Sequence, residues 1–105
     1  MALFAVTFRI DYDTEARYDR CYQQLRKAIP GNSGDGYWDD PTSFYLITST
    51  LNSADLLAAI TGDCEAFDVA KDMVLVINLS VTKGHAQRGK LVDKDLSHLM
   101  ALRQS

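Results

Sequence analysis

The sequence predicts an α+β fold of the ferredoxin-like type, with one antiparallel sheet and two helices on one face. At 105 residues, the chain has room for one domain with one hydrophobic core. Apolar residues alternate with other residues in several segments, as in half-buried strands, and recur at helical spacing in two segments between them. In chain order, these patterns give strand, helix, strand, strand, helix, strand.

The first strand and the first helix have the clearest patterns. Residues 3–10 alternate with a period of two, so one side of the strand is expected to face a core. Thr14 can cap the helix that follows over residues 15–29, and Pro30 and Gly31 end it. The apolar side of this helix contains Tyr18, Cys21, Tyr22, Leu25 and Ile29.

The middle of the chain supplies the remaining elements. Residues 37–41 and 42–50 are predicted as two adjacent strands that are joined by an acidic turn. Ser53 is expected to cap a second helix over residues 54–62. Residues 73–81 form a predicted strand that is apolar on both sides, which suits contact with a core and with a partner.

The C-terminal region differs in character. Residues 1–82 are expected to form the ferredoxin-like domain, and residues 83–105 a basic loop and a C-terminal amphipathic helix. The stretch 82–90 has the composition of a loop and contains no acid. Asp93 caps the predicted tail helix, which is expected to dock on its own domain. The apolar stripe of that helix is Leu96, Leu99 and Met100.

Charge is unevenly distributed along the chain. Residues 1–38 carry five acids and five bases. Residues 39–72 carry seven acids and one base, and residues 73–105 carry two acids and five bases. The three parts therefore have net charges of 0, −6 and +3, and the total is −3. A general polyanion binder has a clear basic excess. Any nucleic-acid binding must therefore use a local basic surface.

The sequence also limits compartment and metal chemistry. No apolar run reaches the roughly 20 residues that cross a bilayer, and the N-terminus lacks a basic stretch followed by an apolar signal segment. We therefore expect a cytoplasmic protein with no membrane association. Cys21 and Cys64 have no Cys or His nearby at zinc-ligand spacing, so both are interpreted as reduced, packed thiols. A reactive Cys21 is the alternative.

Four stretches together resemble a known family. They are "FRIDYD" followed by "ARYDRCYQQLRKAI", then "SFYLITSTLNSADLLAAI", then "DMVLVINLS". This chain resembles the SinR-like small proteins related to the CRISPR-associated adaptation nuclease and, more distantly, the GhoS antitoxin endoribonuclease and the VapD toxins of toxin–antitoxin systems. The resemblance spans about residues 3–80. It implies a ferredoxin-like homodimer that handles RNA or DNA, and a catalytic role for Asp11.

Asp11 and Arg9 are the candidate catalytic residues. A carboxylate that meets its copy across a two-fold axis can hold Mg²⁺ and a water that attacks a phosphodiester. Asp11 is thus the candidate metal ligand, and Arg9 would steady the scissile phosphate. Two structural alternatives stay open. Asp11 and Asp13 could simply belong to the polar turn before the first helix, and Arg9 could pair with Asp11.

The candidate nucleic-acid-binding residues are basic and come from two parts of the chain. Lysine and arginine neutralise phosphates, and nearby glycines let the backbone approach. The alternative for the tail residues is an exposed linker. Aromatic residues could stack on bases if they lie on an open sheet face, but more often cover a core or an interface. The basic candidates are Arg17, Arg20, Lys83, His85, Arg88 and Lys90, and the aromatic candidates are Tyr37, Trp38 and Tyr45.

Two functional hypotheses follow from the sequence. The first is a homodimer that binds nucleic acid and acts, when it carries Mg²⁺, as an endoribonuclease or other endonuclease. The second is a non-catalytic dimer, such as an antitoxin or accessory subunit, whose acidic middle third contacts a basic protein partner. A small-molecule sensor is a third option, which a thermal-shift screen would detect.

Overall fold

The structure is a computed structural model, and it describes residues 1–41, 43–80 and 85–91. Its four strands form one antiparallel sheet in the order β2-β1-β3-β4. In chain order the elements are β1 (Ala2–Arg9), α1 (Glu15–Gly31), β2 (Phe44–Ser49), α2 (Ser53–Gly62), β3 (Met73–Asn78) and β4 (His85–Gly89). The predicted α+β ferredoxin-like arrangement is confirmed. The order of the elements differs from the prediction, because the second helix precedes the last two strands.

Both helices pack on one face of the sheet. Alternate strand residues, such as Phe4 and Val6 in β1, are wholly buried, as the period of two predicts. Because Phe4 pairs with Ile47 and Val6 pairs with Tyr45 and Val76, these residues form one continuous apolar layer. The helices complete this core with Cys21, Leu25, Ala28 and Ile29 from α1 and Leu56, Leu57 and Ile60 from α2.

Helix α1 begins as predicted. The Thr14 side chain accepts a hydrogen bond from the main-chain N–H of Arg17 at 3.2 Å, which satisfies one of the free donors of the first turn. Pro30 lies in the last turn of the helix, which ends at Gly31. In α2 the predicted cap is wrong by one residue. Asn52, rather than Ser53, caps the helix and accepts from the N–H of Asp55 at 2.8 Å.

The predicted strand over residues 37–41 is wrong. Only Trp38 forms a bridge, exchanging two main-chain hydrogen bonds with Leu46 at 3.0 and 2.8 Å. The segment ends in two acids and Pro41, which has no N–H to donate to a ladder. Among the described residues, strand β2 is therefore an edge strand over most of its length, next to β1 alone.

The prediction of a loop over 82–90 is also wrong, because β4 lies within it and pairs with β3 from Ile77↔His85 to Met73↔Gly89. This pairing satisfies backbone groups along β3 that would otherwise lack partners. Gly89 has a φ of +106°, and a Cβ there would lie 1.8 Å from the carbonyl oxygen of Asp72. Only glycine suits this close approach.

The predicted tail helix from Asp93 onward lies outside the described residues, as does Lys83. Strand β4 extends the sheet beyond residue 82, where the domain was expected to end. None of the helices in the described part of the chain is long and apolar enough to cross a membrane.

Candidate functional site

A buried carboxylate organises one end of the sheet. Asp72 lies immediately before β3, and its side chain is wholly buried. Its two oxygens accept four N–H hydrogen bonds: two from Arg17, at 2.8 and 3.0 Å, and one each, at 2.9 Å, from the main chain of Asp11 and Asp68. Asp72 thereby ties the segment after β1, helix α1 and the turn before β3 to one point.

Arg17 is fully occupied by these contacts. Its Nε donates to both carboxylate oxygens of Asp13, at 2.8 and 3.0 Å. Besides their bonds to Asp72, Nη1 donates to the carbonyl oxygen of Ala66 at 3.3 Å and Nη2 to that of Asp11 at 2.9 Å. These contacts use all of the guanidinium N–H groups. A phosphate could gain a hydrogen bond from Arg17 only by displacing one of these partners.

Lys71 completes this arrangement, because its Nζ lies 2.6 Å from an oxygen of Asp13. We call Asp13, Arg17, Lys71 and Asp72 the Arg17 network. Its outer pair is more exposed than its centre: the side chain of Lys71 is 45% exposed and that of Asp13 is 23% exposed, whereas that of Asp72 is 0% exposed. The network therefore runs from solvent into the core.

The protonation states in the network follow from these contacts. Burial alone raises the pKa of Asp72, but the hydrogen bonds from Arg17, Asp68 and Asp11 outweigh it and hold the pKa below its usual value. Hydrogen bonds from Lys71 and Arg17 likewise lower the pKa of Asp13. Asp72 and Asp13 raise the pKa of Arg17. All of these shifts favour the charged forms.

A second set of charged residues lies at the same end of the sheet but on the surface. Asp11 is exposed, and its carboxylate makes no hydrogen bond or ion pair within the described ranges. Arg9 does not pair with it there. Instead, Arg9 Nη2 donates to the carbonyl oxygen of Lys90 at 2.6 Å. Since the N–H of Lys90 donates to the carbonyl oxygen of Asp72 at 2.8 Å, the end of β4 is held beside the end of β1.

Tyr12 belongs to this surface, although the sequence analysis did not select it. Its side chain is 65% exposed, and its ring centroid lies 5.1 Å from that of Tyr18. The signal that could have found it is its place between two acids at the end of an apolar strand. We call Arg9, Asp11, Tyr12 and Lys90 the Asp11 group. It combines two cations, one unpaired carboxylate and an accessible aromatic ring.

The other predicted basic residues are separated from one another. Arg88 is exposed in β4 close to Lys90, whereas His85 begins β4 and lies at its opposite end. Arg20 is exposed on α1. Arg9, Arg88 and Lys90 therefore lie at the same end of the sheet as Asp11, whereas His85 lies at the other end. Arg88 is on the helix-covered face, because it pairs with the core residue Val74.

The predicted stacking residues divide into two classes. Tyr45 is wholly buried, and its ring lies under the guanidinium of Arg26, 5.5 Å from Cζ, so it cannot stack on a base. Tyr37 and Trp38 are exposed. The ring of Trp38 contacts Phe44 edge-on, with centroids 6.2 Å apart, beside the sheet face that the helices leave open.

That open face of the sheet is largely apolar. Most of the residues that alternate with the core positions are half-buried, whereas Leu3 is exposed and Ala5 is buried. Polar side chains, such as Thr7 in β1 and Gln87 in β4, are in the minority there. The apolar residues of the open face are Leu3, Ala5, Phe44, Leu46, Met73, Leu75 and Ile77. An apolar sheet face of this kind is typical of a protein–protein contact.

The carboxylates fit Mg²⁺ only in part. Within the described ranges, no three His, Cys, Asp or Glu side chains come together in a metal-binding group. Asp13 and Asp72 are engaged by cations, which leaves the Asp11 carboxylate as the available ligand. Mg²⁺ is commonly held by one or two carboxylates together with water and substrate phosphates. Asp11 from one chain would thus need a second Asp11, or the nucleic acid itself, to complete such a site.

Comparison with known proteins found no family model, no curated protein and no solved structure that matches this chain.

Proposed function

We propose that the protein is a cytoplasmic homodimer of the SinR-like kind that binds nucleic acid through the Asp11 group. The single observation that carries this proposal is the hydrogen bond from the Arg9 guanidinium to the main chain of Lys90, at the end of the sheet where Asp11 and Tyr12 are exposed. These residues come from distant parts of the chain, so their meeting is a property of the fold.

Each member of the group has a separate role in this proposal. Arg9 and Lys90 contact phosphates, which gives affinity that depends on salt rather than on sequence. Tyr12 stacks on an unpaired base, which favours single-stranded RNA or DNA. Arg17 has a positioning role instead of the phosphate contact first considered, because its N–H groups are engaged by protein atoms.

In the catalytic form of the proposal, two copies pack through the open face of the sheet. Asp11 of each subunit would then hold Mg²⁺, which would supply an activated water to the phosphodiester. Arg9 steadies the phosphate that is cut. Asp11 suits this role because its carboxylate is exposed and unpaired within the described ranges, whereas its main-chain groups are fixed by Asp72 and Arg17.

The test combines binding and cleavage. Labelled single- and double-stranded RNA and DNA are titrated by fluorescence anisotropy at several salt concentrations. We expect Lys90→Ala to weaken binding to every substrate and to reduce the slope of log K against log salt by about 1. The matched control is Lys27→Ala, which removes an exposed lysine from α1. Equal binding by wild type and Lys90→Ala would contradict the proposed surface.

Cleavage is measured with Mg²⁺ and with chelator on the same substrates. If the catalytic form is right, Asp11→Ala abolishes Mg²⁺-dependent cutting. Asp19→Ala, which removes an exposed acid from α1, leaves cutting unchanged. If the wild-type protein binds nucleic acid but does not cut it, the proposed interface stands and the proposed nuclease activity is contradicted.

The alternative function is a non-catalytic interaction module, and the apolar open face favours it. Leu75, near the centre of that face, lies outside the hydrophobic core cluster. Leu75→Lys is therefore expected to separate the dimer into folded monomers, as measured by sedimentation velocity with circular dichroism as the control. A wild-type dimer whose binding to nucleic acid shows no salt dependence would favour this alternative. A wild-type monomer would contradict both functions as stated.

A further inference from the structure

The two cysteines of the chain meet in the core, although 43 positions separate them in sequence. Cys21 lies on the buried side of α1, and Cys64 lies just after α2. Their sulfur atoms are 3.8 Å apart, both thiols are free, and both residues are buried. The chain contains no other cysteine.

We propose that Cys21 and Cys64 are a site of reversible oxidation, which a peroxide converts into an intramolecular disulfide between α1 and the turn after α2. The bond requires the sulfur atoms to approach from 3.8 Å to about 2.05 Å. Cys64 can make this movement because it lies in a turn rather than within a helix. Asp63 and Glu65, on either side of it, are exposed, so a small oxidant has only a short distance to travel.

The surroundings of the two sulfur atoms indicate which cysteine attacks the peroxide and which one then forms the disulfide. The contact with the Cys21 thiol outweighs burial and lowers the pKa of Cys64. The pKa of Cys21 is raised by its contact with Cys64, by burial and by the nearby carboxylate of Asp72, whose Oδ2 lies 3.8 Å from the Cys21 sulfur. Cys64 also lies between two exposed residues, whereas Cys21 is wholly buried within α1 beside the Asp72 carboxylate. We therefore assign Cys64 as the attacking thiolate and Cys21 as the resolving thiol.

The chemistry balances with hydrogen peroxide as the oxidant. The Cys64 thiolate attacks one peroxide oxygen, the O–O bond breaks, and the sulfenic acid of Cys64 forms as hydroxide leaves and takes up a proton. The Cys21 sulfur then attacks the Cys64 sulfur, the S–O bond breaks, and the hydroxide leaves as water with the Cys21 proton. Two thiols and one peroxide thus give one disulfide and two water molecules. A thiol reductant reverses the change.

The first experiment uses the unsubstituted chain of 105 residues. The native protein is treated with hydrogen peroxide, denatured, alkylated with N-ethylmaleimide and weighed by mass spectrometry. We expect a monomer without adducts whose mass is about 2 Da lower, because two thiol hydrogens are lost. Dithiothreitol should restore two alkylation sites. Two alkylated cysteines after peroxide treatment, or disulfide-linked dimers in place of the intramolecular bond, would overturn the proposal.

Two variants test the order of the steps. In Cys21→Ser the resolving thiol is absent, so Cys64 should remain as a sulfenic acid that dimedone labels. In Cys64→Ser, Cys21 should take up several-fold less label, since it stays wholly buried beside the Asp72 carboxylate. Circular dichroism confirms that both variants are folded. Stronger labelling of the Cys64→Ser protein would overturn the assignment of Cys64 as the attacking residue.

Discussion

The Arg17 network and the Asp11 group lie at the same end of one sheet, but they use their charges in opposite ways. In the network, the guanidinium and the carboxylates it contacts all have protein partners. In the Asp11 group, the Asp11 carboxylate has no partner within the described ranges, and Lys90 is exposed. Both sites are charged. A structural site differs from a candidate functional one because its charged groups already have protein partners, whereas those of the functional site are free to bind a ligand.

The physical reason is the cost of burial. A carboxylate as deeply buried as Asp72 is tolerated only with a cation and several N–H donors around it, and those partners then have no capacity for a ligand. An exposed carboxylate such as Asp11 is solvated by water, which a metal ion or a phosphate contact can replace. If this distinction is right, substitutions in the two sites should affect different measurements.

The largest effect is expected for Asp72→Asn. The amide keeps one acceptor oxygen but turns an NH₂ group toward N–H donors, and it leaves the Arg17 guanidinium without its buried counter-charge. Removing one partner of a buried ion pair costs about 3–5 kcal/mol of unfolding free energy. Because domains of this size have about 5–15 kcal/mol in total, a large part of the stability would be lost. Denaturant unfolding followed by circular dichroism measures it.

Asp19→Asn provides the control for this substitution. It makes the same chemical change at an exposed position of α1, and surface changes of this kind stay within about 0.5 kcal/mol. Similar losses in the two variants would contradict the structural role given to Asp72 and would break the comparison between the two sites.

Lowering the pH should weaken the Arg17 network in the wild-type protein and so decrease the free energy of unfolding. The pKa values of Asp72 and Asp13 are lower in the folded protein than their ordinary value of about 3.9. The folded state therefore binds fewer protons than the unfolded chain, and protonation favours unfolding. The stabilisation from these carboxyls is complete above about pH 5, and it decreases as the pH falls below about 4 and through the folded-state values.

Denaturant unfolding between about pH 7 and 3 measures this dependence. In Asp13→Asn, one of the two carboxyls with a lowered pKa is gone, so the free energy of unfolding should fall less steeply below about pH 4 than in wild type. Wild type in the same buffers is the reference. An unchanged slope would mean that the contacts of Asp13 with Arg17 and Lys71 do not contribute to folding.

The sequence predicted the parts of the fold that have a local pattern. The alternation in β1 and the helical spacing of Cys21, Leu25 and Ile29 are visible in one segment and need no knowledge of the rest of the chain. Strand β4 has no such pattern, since "HAQRG" contains no residue of high strand propensity. It forms because β3 offers an unpaired edge. That edge exists only in the folded sheet, so the local sequence does not show it.

The candidate site was predictable to a smaller extent for the same reason. Asp11 and Arg9 could be chosen because they follow an apolar strand, but the contact between Arg9 and Lys90 joins residues 81 positions apart. Arg17 resembled a surface arginine, because nothing local shows that Asp72 is buried 55 positions later. The meeting of Cys21 and Cys64 is another contact between distant segments. Residue type indicated chemistry, and only the fold indicated which groups remain available.

The smallest effect on stability is expected for Asp11→Asn, and it is the sharpest test of the comparison. The contacts of Asp11 within the protein use its main-chain N–H and carbonyl oxygen, which the substitution keeps. The free energy of unfolding should therefore change by no more than about 0.5 kcal/mol, although Mg²⁺-dependent cleavage, if present, is lost. Denaturant unfolding beside Asp72→Asn measures the contrast. A loss above about 1 kcal/mol would place the Asp11 carboxylate among the groups that hold the fold together, and its availability for a metal or a phosphate would then no longer distinguish the two sites.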